Sequence, residues 1–500
     1  MKHLPQWALL ICSLPTVALS EGVLPPVDQV HLNQMVAHGQ TYDAFIEAFE
    51  AGDELTEFSF QANQGVGANV GEGRRFTRFP RADLSAAQEW GNHIPRREGG
   101  PNATSCIACH NKPFANGAGD VALNVVLDPE HRGDPTKYLE RNTLPLFALG
   151  IPQRLAEEIS LALYTQRDEA VAAACESGSA IAELSAKGVS YGQLEIARTS
   201  EKPCLVEIDS SRLDGIDPDL VVKAFGWKGN EATIRSFTRG AAHNELGLQA
   251  VELVGDLDAD FDGVTHELTV GDMTALSIYM AGLERPVSKI ELADVGLIEL
   301  TAEERSAIAA GEVIFAETGC SSCHVPSMPI SDTVFREPSR VAGFYDVAFP
   351  DGSDPTAMGL TDELAISFDL AGDQPNNQII AADGTEHHLG ALETGADGGA
   401  VARWYTDFKR HDMGLALADP DDPLGLGASM FLTRSLAGVA MTGPWLHDGR
   451  ATTLAEAISM HGGDAAESAD KFTELDEEAQ GELVAFLENL VMLESEEEEE

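Results

Sequence analysis

Cys320-Ser321-Ser322-Cys323-His324 and, earlier in the chain, Cys106-Ile107-Ala108-Cys109-His110 decide how the rest of this sequence is read. Each is C-x-x-C-H. At this spacing two thiols add across the vinyl groups of a c-type haem, and the adjacent histidine takes the iron from the proximal side. With 7 Cys and 14 His in 500 residues, chance supplies about 0.003 such pentapeptides per chain, so two are signal. A thioredoxin-like C-x-x-C sits in a βαβ pattern and has no use for the histidine. A structural zinc site needs four ligands, and neither motif has a second close Cys/His pair. The reading is two covalent haem c groups, carried on Cys106 and Cys109 and on Cys320 and Cys323, with His110 and His324 as metal ligands.

The first residues agree. Lys2 and His3 precede an apolar run from Trp7 to Leu14, and Ala18-Leu19-Ser20 ends in small residues. This is the pattern of a secretory signal peptide over residues 1–20, cleaved before Glu21. Ile11 is too large for a lipoprotein site at Cys12. No later segment has 18 continuous apolar residues, so no membrane span is expected. Export with covalent haem predicts a periplasmic protein. An oxidising compartment also allows Cys175 and Cys204 to pair; two free thiols are the alternative.

Asp and Glu outnumber Lys and Arg by 82 to 32, a formal charge of −50. Nucleic acid is excluded as a natural partner, because phosphate repels such a surface. A solvated, salt-adapted surface accounts for the acidity. A basic redox partner, such as a small cytochrome or cupredoxin, would still be steered in at low salt. Residues 494–500 read as an acidic tail.

The fold class expected is mainly α, with two cytochrome c-type domains, long Gly/Pro-rich loops and few short strands. The N-terminal haem c domain spans 21–290 and the C-terminal cytochrome c domain 291–493. Ala44, Phe45, Ala48 and Phe49 make a helical apolar face. Residues 154–164 and 168–186 read as helices, and 121–126 as a short strand. A boundary falls near Pro286 to Leu300. Thr301-Ala302-Glu303-Glu304 is a capping box opening a helix. Ile308 and Phe315 share its face, and Gly319 ends it just before Cys320. Residues 476–491 form another amphipathic helix, with Ala479, Leu483, Leu487 and Leu490 on one side. The two helices are expected to cross beside the haem.

Asp256-Leu257-Asp258-Ala259-Asp260-Phe261-Asp262-Gly263 spaces carboxylates two apart and ends in Gly, like the first half of an EF-hand calcium loop. Counted from Asp258, the twelfth position is Thr269, where a bidentate Glu belongs, and Glu267 is out of register. Calcium on Asp258, Asp260 and Asp262 and a plain acidic turn are both open.

Residues 442–463 read TGPWLHDGRATTLAEAISMHGG and follow Arg410-His411-Asp412-Met413-Gly414. Here the chain resembles the di-haem oxidoreductase family, once described as thiol oxidoreductases and related to bacterial di-haem cytochrome c peroxidases and MauG-type enzymes. Arg141-Asn142-Thr143-Leu144-Pro145 is similar to the Arg-Asn-Thr-Pro run of the peroxidases. The resemblance spans about 60 to 492, strongest at the haem motifs and 441–463 and weak over 165–240. It implies facing haems, the N-terminal one peroxidatic and the C-terminal one electron-transferring, with hydrogen peroxide or a similar small oxidant reduced at the first. A di-haem electron carrier without turnover, or MauG-like or thiol oxidation, are the alternatives.

Site residues follow from both readings. Thr453-Leu454-Ala455-Glu456 is a second capping box, and Gly462-Gly463 ends that helix. His461 therefore sits at a fixed last turn from which an imidazole can reach an iron. In the peroxidases a Met before a Gly is the distal ligand here. A histidine instead lowers the potential. Met413 and Met460 are the other candidates. His447 and Arg450 could bind haem propionates, or belong to a turn held by Asp448 and Gly449. Trp445 is a ring between haems or a buried aromatic. The resemblance offers His131 as a removable distal ligand of the first haem, and Glu157 and Glu158 as the catalytic acid-base. The alternatives are an exposed loop histidine and two solvated helix acids.

Overall fold

The computed structural model describes residues 24–67, 103–113, 115–119, 124–126, 139–372, 378–380, 385–389, 392–395, 399–420, 422 and 424–492. The expected signal peptide, His131 and the acidic tail lie outside these residues.

The helices are α1 (Gln29–Ala37), α2 (Thr41–Glu57), α3 (Gly150–Ser177), α4 (Ile234–Ala241), α5 (Val251–Val254), α6 (Val270–Gly282), α7 (Lys289–Asp294), α8 (Ala302–Glu317), α9 (Leu454–Ser459), α10 (Ala466–Glu474) and α11 (Glu477–Glu488). Helix α6 is buried on nearly every side, so it forms the axis of the main core. The apolar face of α2 packs on it. A Cβ at Gly52 would collide with the Ala275 carbonyl, and Phe49 meets Tyr279 edge-on at 5.0 Å. From the C-terminal half, Phe368 stacks on Phe45 at 4.2 Å. Phe335 and Phe344 join the same buried cluster, so the main core draws on both sides of residue 290.

A buried ion network binds the same halves. Arg235 on α4 donates to Glu252 at 3.0 Å, to Thr274 at 3.0 Å and to Glu337 at 2.9 Å. Arg239 donates to Glu252 at 2.7 Å and to Asp346 at 3.0 Å. Such groups stay charged in a low-dielectric interior only because each has partners.

The mainly α expectation is corrected. Helix accounts for 40% and strand for 17% of the structure, and among the described residues sixteen strands form seven small sheets. Besides β1 (Asn124–Val126) and β2 (Leu139–Arg141), the longest strands are β3 (Ser179–Ala186), β4 (Val189–Glu201) and β5 (Cys204–Leu213), an antiparallel sheet in sequence order. The expected pair of helices at 154–164 and 168–186 is one long α3 that stops at Ser177. Gly178 takes φ 100° and caps it, and the chain turns into β3. The Ala-rich composition of 179–186 favours helix, but pairing with β4 puts Ala182 and Leu184 into the core, and tertiary burial overrides propensity. The remaining strands are two- and three-stranded ribbons that satisfy backbone groups of the long connections. Cys175, in the last turn of α3, is disulfide-bonded to Cys204 at the start of β5.

A second cluster surrounds Cys320. Phe315 on α8 lies 5.2 Å from Phe486 on α11. A Cβ at Gly311 would strike the Glu482 carbonyl, so glycine sets how closely these helices approach. The capping boxes at Thr301/Glu304 and Thr453/Glu456 are both formed. Among the described residues no helix is long and apolar enough to cross a membrane.

Candidate haem cavity

Helix α8 gives way at Gly319, φ 92°, to a tight turn over Cys320–Ser322. The His324 amide donates to the Cys320 carbonyl at 3.0 Å, which folds the histidine back beside both thiols. Cys320, Cys323 and His324 line a cavity of about 280 Å³ that also receives His461 and Met413. Its apolar wall comes from Phe315, Leu454, Leu483 and Leu487.

Nδ1 of His324 lies 3.2 Å from the Tyr405 carbonyl. A carbonyl only accepts, so Nδ1 carries the proton and Nε2 keeps its lone pair. His461 reaches the same state by another route. Its amide donates to Ile458 rather than Ala457, because the helix is ending. The orphaned Ala457 carbonyl accepts instead from Nδ1 of His461, at 2.7 Å, an end-of-helix carbonyl satisfied by a side chain. Burial holds the His324 imidazole down at about 4, with His461 adding to the effect. Burial also lowers that of His461. Two neutral imidazoles with tied Nδ1 atoms thus share one cavity, the state in which histidine binds a metal. Gly462 and Gly463 pack on the backbone of Asp412–Gly414, which brings Met413 to the same wall. Met460 is 38% exposed and does not line the cavity.

The first motif repeats the local chemistry. Cys106–Ala108 form a tight turn, the His110 amide donates to the Cys106 carbonyl at 3.0 Å, and Nδ1 of His110 lies 3.1 Å from the Gly117 carbonyl. Burial again holds this imidazole down at about 4, and the Leu144 backbone also faces the ring. Burial pushes the Cys106 thiol up to about 12 and that of Cys109 up to about 11. Much of this motif's surroundings lies outside the described residues.

One peptide segment joins the two places. Asn142, Thr143, Leu144 and Pro145 line the cavity of the second motif, while the Leu144 backbone touches the His110 ring. The segment is pinned to the turn at 444–448. The Asn142 amide donates to the His447 carbonyl at 2.7 Å, its side chain donates to the Pro444 carbonyl, and the Trp227 indole N–H donates to the Asn142 carbonyl at 2.9 Å. Arg141 forks onto Asp419 with two bonds of 2.9 Å, and Lys228 reaches the same carboxylate at 3.0 Å. Trp445 lines the cavity, its indole N–H donating to Val439 at 2.9 Å.

Other expected site residues part ways. His447 lines the cavity, buried, its imidazole held down at about 4 by burial. Arg450, with its side chain 43% exposed, pairs with Asp448 and donates to Ala416 at 2.8 Å. It holds the turn and leaves the cavity to His447. Glu157 and Glu158 do not line the cavity. Glu157 is buried against Arg154, and burial raises its carboxyl. Glu158 accepts from the Ser331 and Asp332 amides at 2.9 and 2.8 Å and from Lys187 at 2.6 Å. The carboxylates of Asp258, Asp260 and Asp262 converge within 4.8 Å. Thr269 instead caps α6, and Glu267 accepts from the Gln249 amide at 2.7 Å, so the second half of a calcium loop is absent from this segment. Trp227, Lys228, Asp419 and Arg434 were not flagged by the sequence. They belong to no local motif, and only the fold gathers them.

Arg434 lines the cavity as well. Its guanidinium lies 5.7 Å from the Trp227 ring centroid and donates to the Gly226 carbonyl at 3.3 Å. Its Nε is buried without a partner, and burial alone lowers its pKa to about 10. Tied imidazoles beside paired thiols, an apolar wall and an uncompensated guanidinium are a donor set that fits a haem.

Residues 382–490 match the family model described as "Di-haem oxidoreductase, putative peroxidase". Among solved structures, a MauG-like protein associated with microbial copper homeostasis is 18% identical, over 53% of this chain and 68% of its own, with a TM-score of 0.26. Hydrazine synthase of Kuenenia stuttgartiensis is 14% identical, over 97% of this chain and 100% of its own, with a TM-score of 0.30. Superpositions this loose carry no argument about fold or chemistry. No curated protein matches the chain.

Proposed function

We propose, from the match of residues 382–490 to the di-haem oxidoreductase family model, that this chain is a periplasmic, peroxidase-like oxidoreductase with two covalent haem c groups. Cys106 and Cys109 would hold one ring and Cys320 and Cys323 the other, with His110 and His324 on the irons and His461 as the second ligand at the C-terminal site. Bound there, the haems would supply one-electron chemistry, electrons passing from the His324 site to the His110 site, where peroxide or a similar small oxidant is reduced.

The observation that carries this reading is that each C-x-x-C-H ends in a half-buried histidine whose Nδ1–H is tied to a carbonyl, with one segment, 142–145, reaching both. The protein's own part is to fix ring orientation, keep Nε2 unprotonated and hold water out. The Gly117, Tyr405 and Ala457 carbonyls do the first two; Phe315, Leu454, Leu483 and Leu487 do the third. The Cys175–Cys204 disulfide supports an oxidising compartment, and the charge of −50 supports a basic cytochrome or cupredoxin as electron donor. Asp258, Asp260 and Asp262, whose carboxylates converge within 4.8 Å, are the residues that would hold calcium.

The test is steady-state turnover of hydrogen peroxide with a reduced cytochrome, on protein whose intact mass shows two haems. Peroxide-dependent oxidation of the cytochrome is expected. Two haems that stay low-spin and inert to peroxide, even when half-reduced, would leave an electron carrier without turnover. For the acidic loop, added calcium should raise Tm and chelation lower it; an unmoved Tm removes the ion from the reading.

A further inference from the structure

Among the described residues, every buried Lys and Arg has a carboxylate at hand, and half-buried Arg434 at the cavity wall does not. Arg154 pairs with Glu157, Lys228 with Asp419, Arg235 and Arg239 with Glu252, and Lys409 with Asp214. Arg434 breaks the pattern. It lines the cavity, yet no carboxylate among the described residues pairs with it, and its buried Nε has no acceptor. Asp419 is committed to Arg141 and Lys228. A guanidinium has five N–H donors and stays charged, and a desolvated charge of this kind calls for a counter-ion.

The place of Arg434 says which. Its backbone faces the ring of His324, so its side chain starts beside the proposed iron ligand, and its guanidinium rests near Trp227 at the cavity wall. The planar fork suits a carboxylate. We infer that Arg434 is the anion-binding residue of this cavity and takes a carboxylate, the propionate of the haem attached at Cys320 and Cys323. This rests on the proposed haem attachment.

Such a pairing leaves a signature beyond activity. A cation beside the ring opposes the extra positive charge of the ferric state, so it raises the potential. In the two-haem protein, Arg434→Gln should lower the midpoint potential of the C-terminal haem by about 59 mV, a tenfold shift in the one-electron equilibrium constant. The N-terminal potential should hold. Arg434→Lys keeps the charge and should recover most of the potential, and it serves where the Gln variant fails to fold. An unchanged potential with both haems present overturns the assignment. So does a wild-type potential that shifts on adding inorganic phosphate or acetate while that of Arg434→Gln does not, because the arginine then serves a free anion. Wild-type protein whose mass shows no haem would instead overturn the attachment on which the inference rests.

Discussion

The two C-x-x-C-H segments are nearly alike within themselves and unlike in what they face. Both fold as a tight turn, and both tie Nδ1 of their histidine to a carbonyl, Gly117 for His110 and Tyr405 for His324. The second opens into a walled cavity that already contains another tied imidazole, His461. Among the described residues, the first packs Cys106 and Cys109 against the main core, and the Leu144 backbone faces the His110 ring. The motif therefore determines the proximal side alone. At the second motif the opposite wall is built by distant segments, which bring His461 and Met413 into the cavity.

The largest effect expected from breaking this comparison is at the first motif. His110→Ala should lower peroxide turnover on the order of 1,000-fold, about 4 kcal/mol of barrier, while the spectrum of the C-terminal haem stays as it was. Turnover within tenfold of wild type would move the chemistry to the other site. Next comes His461→Ala, which should convert one low-spin haem, and only one, to high-spin in the EPR spectrum. A retained low-spin signal with an unchanged potential would pass the ligand role to Met413, which lines the same wall.

Acid should act on the segment between the sites. His447 is held down at about 4 by burial, against about 6.5 in an unfolded chain. The unfolded chain therefore takes up a proton first as pH falls, and stability is lost between pH 6.5 and 4, by up to about 3 kcal/mol from this group. His447→Gln should flatten the urea-denaturation free energy across that window by one proton; an unaltered slope would show that His447 is solvated. Gly311→Ala should follow, costing about 1–3 kcal/mol by forcing α8 off α11, with the absorption spectrum disturbed at the C-terminal haem alone. The smallest change in turnover is expected for Glu158→Gln. Its partners are the Ser331 and Asp332 amides and Lys187, so it should cost about 1–3 kcal/mol of stability and less than tenfold in rate. A larger rate loss with intact spectra would return it to the acid-base role.

What could be read from the chain was what is written locally. The C-x-x-C-H spacings, the capping boxes at Thr301 and Thr453, and the end of a helix at His461 each depend on residues a few positions apart. What could not be read depends on partners far away. The 168–186 stretch has helical composition throughout, and only Gly178 and the pairing of β3 with β4 cut it in two. Glu157 and Glu158 read either as acid-base candidates or as solvated helix acids, and spacing did not show their partners Arg154, Lys187 and the 331–332 backbone. Arg141 was noticed for its motif, yet its partner Asp419, and Lys228 on the same carboxylate, carry no pattern at all. Burial of charge is a property of the folded interior, and it leaves little trace in spacing.

The network of Arg235, Arg239, Glu252, Glu337 and Asp346 bears on how this chain can vary. A protein with two similar motifs invites the idea of interchangeable modules, each graftable onto a relative. Here a graft at residue 290 would strand Glu337 and Asp346 on one parent and Arg235, Arg239 and Glu252 on the other, and an orphaned charge in an interior costs about 3–5 kcal/mol. A chimera would need all five positions to travel together, so the two halves can only be exchanged as one piece.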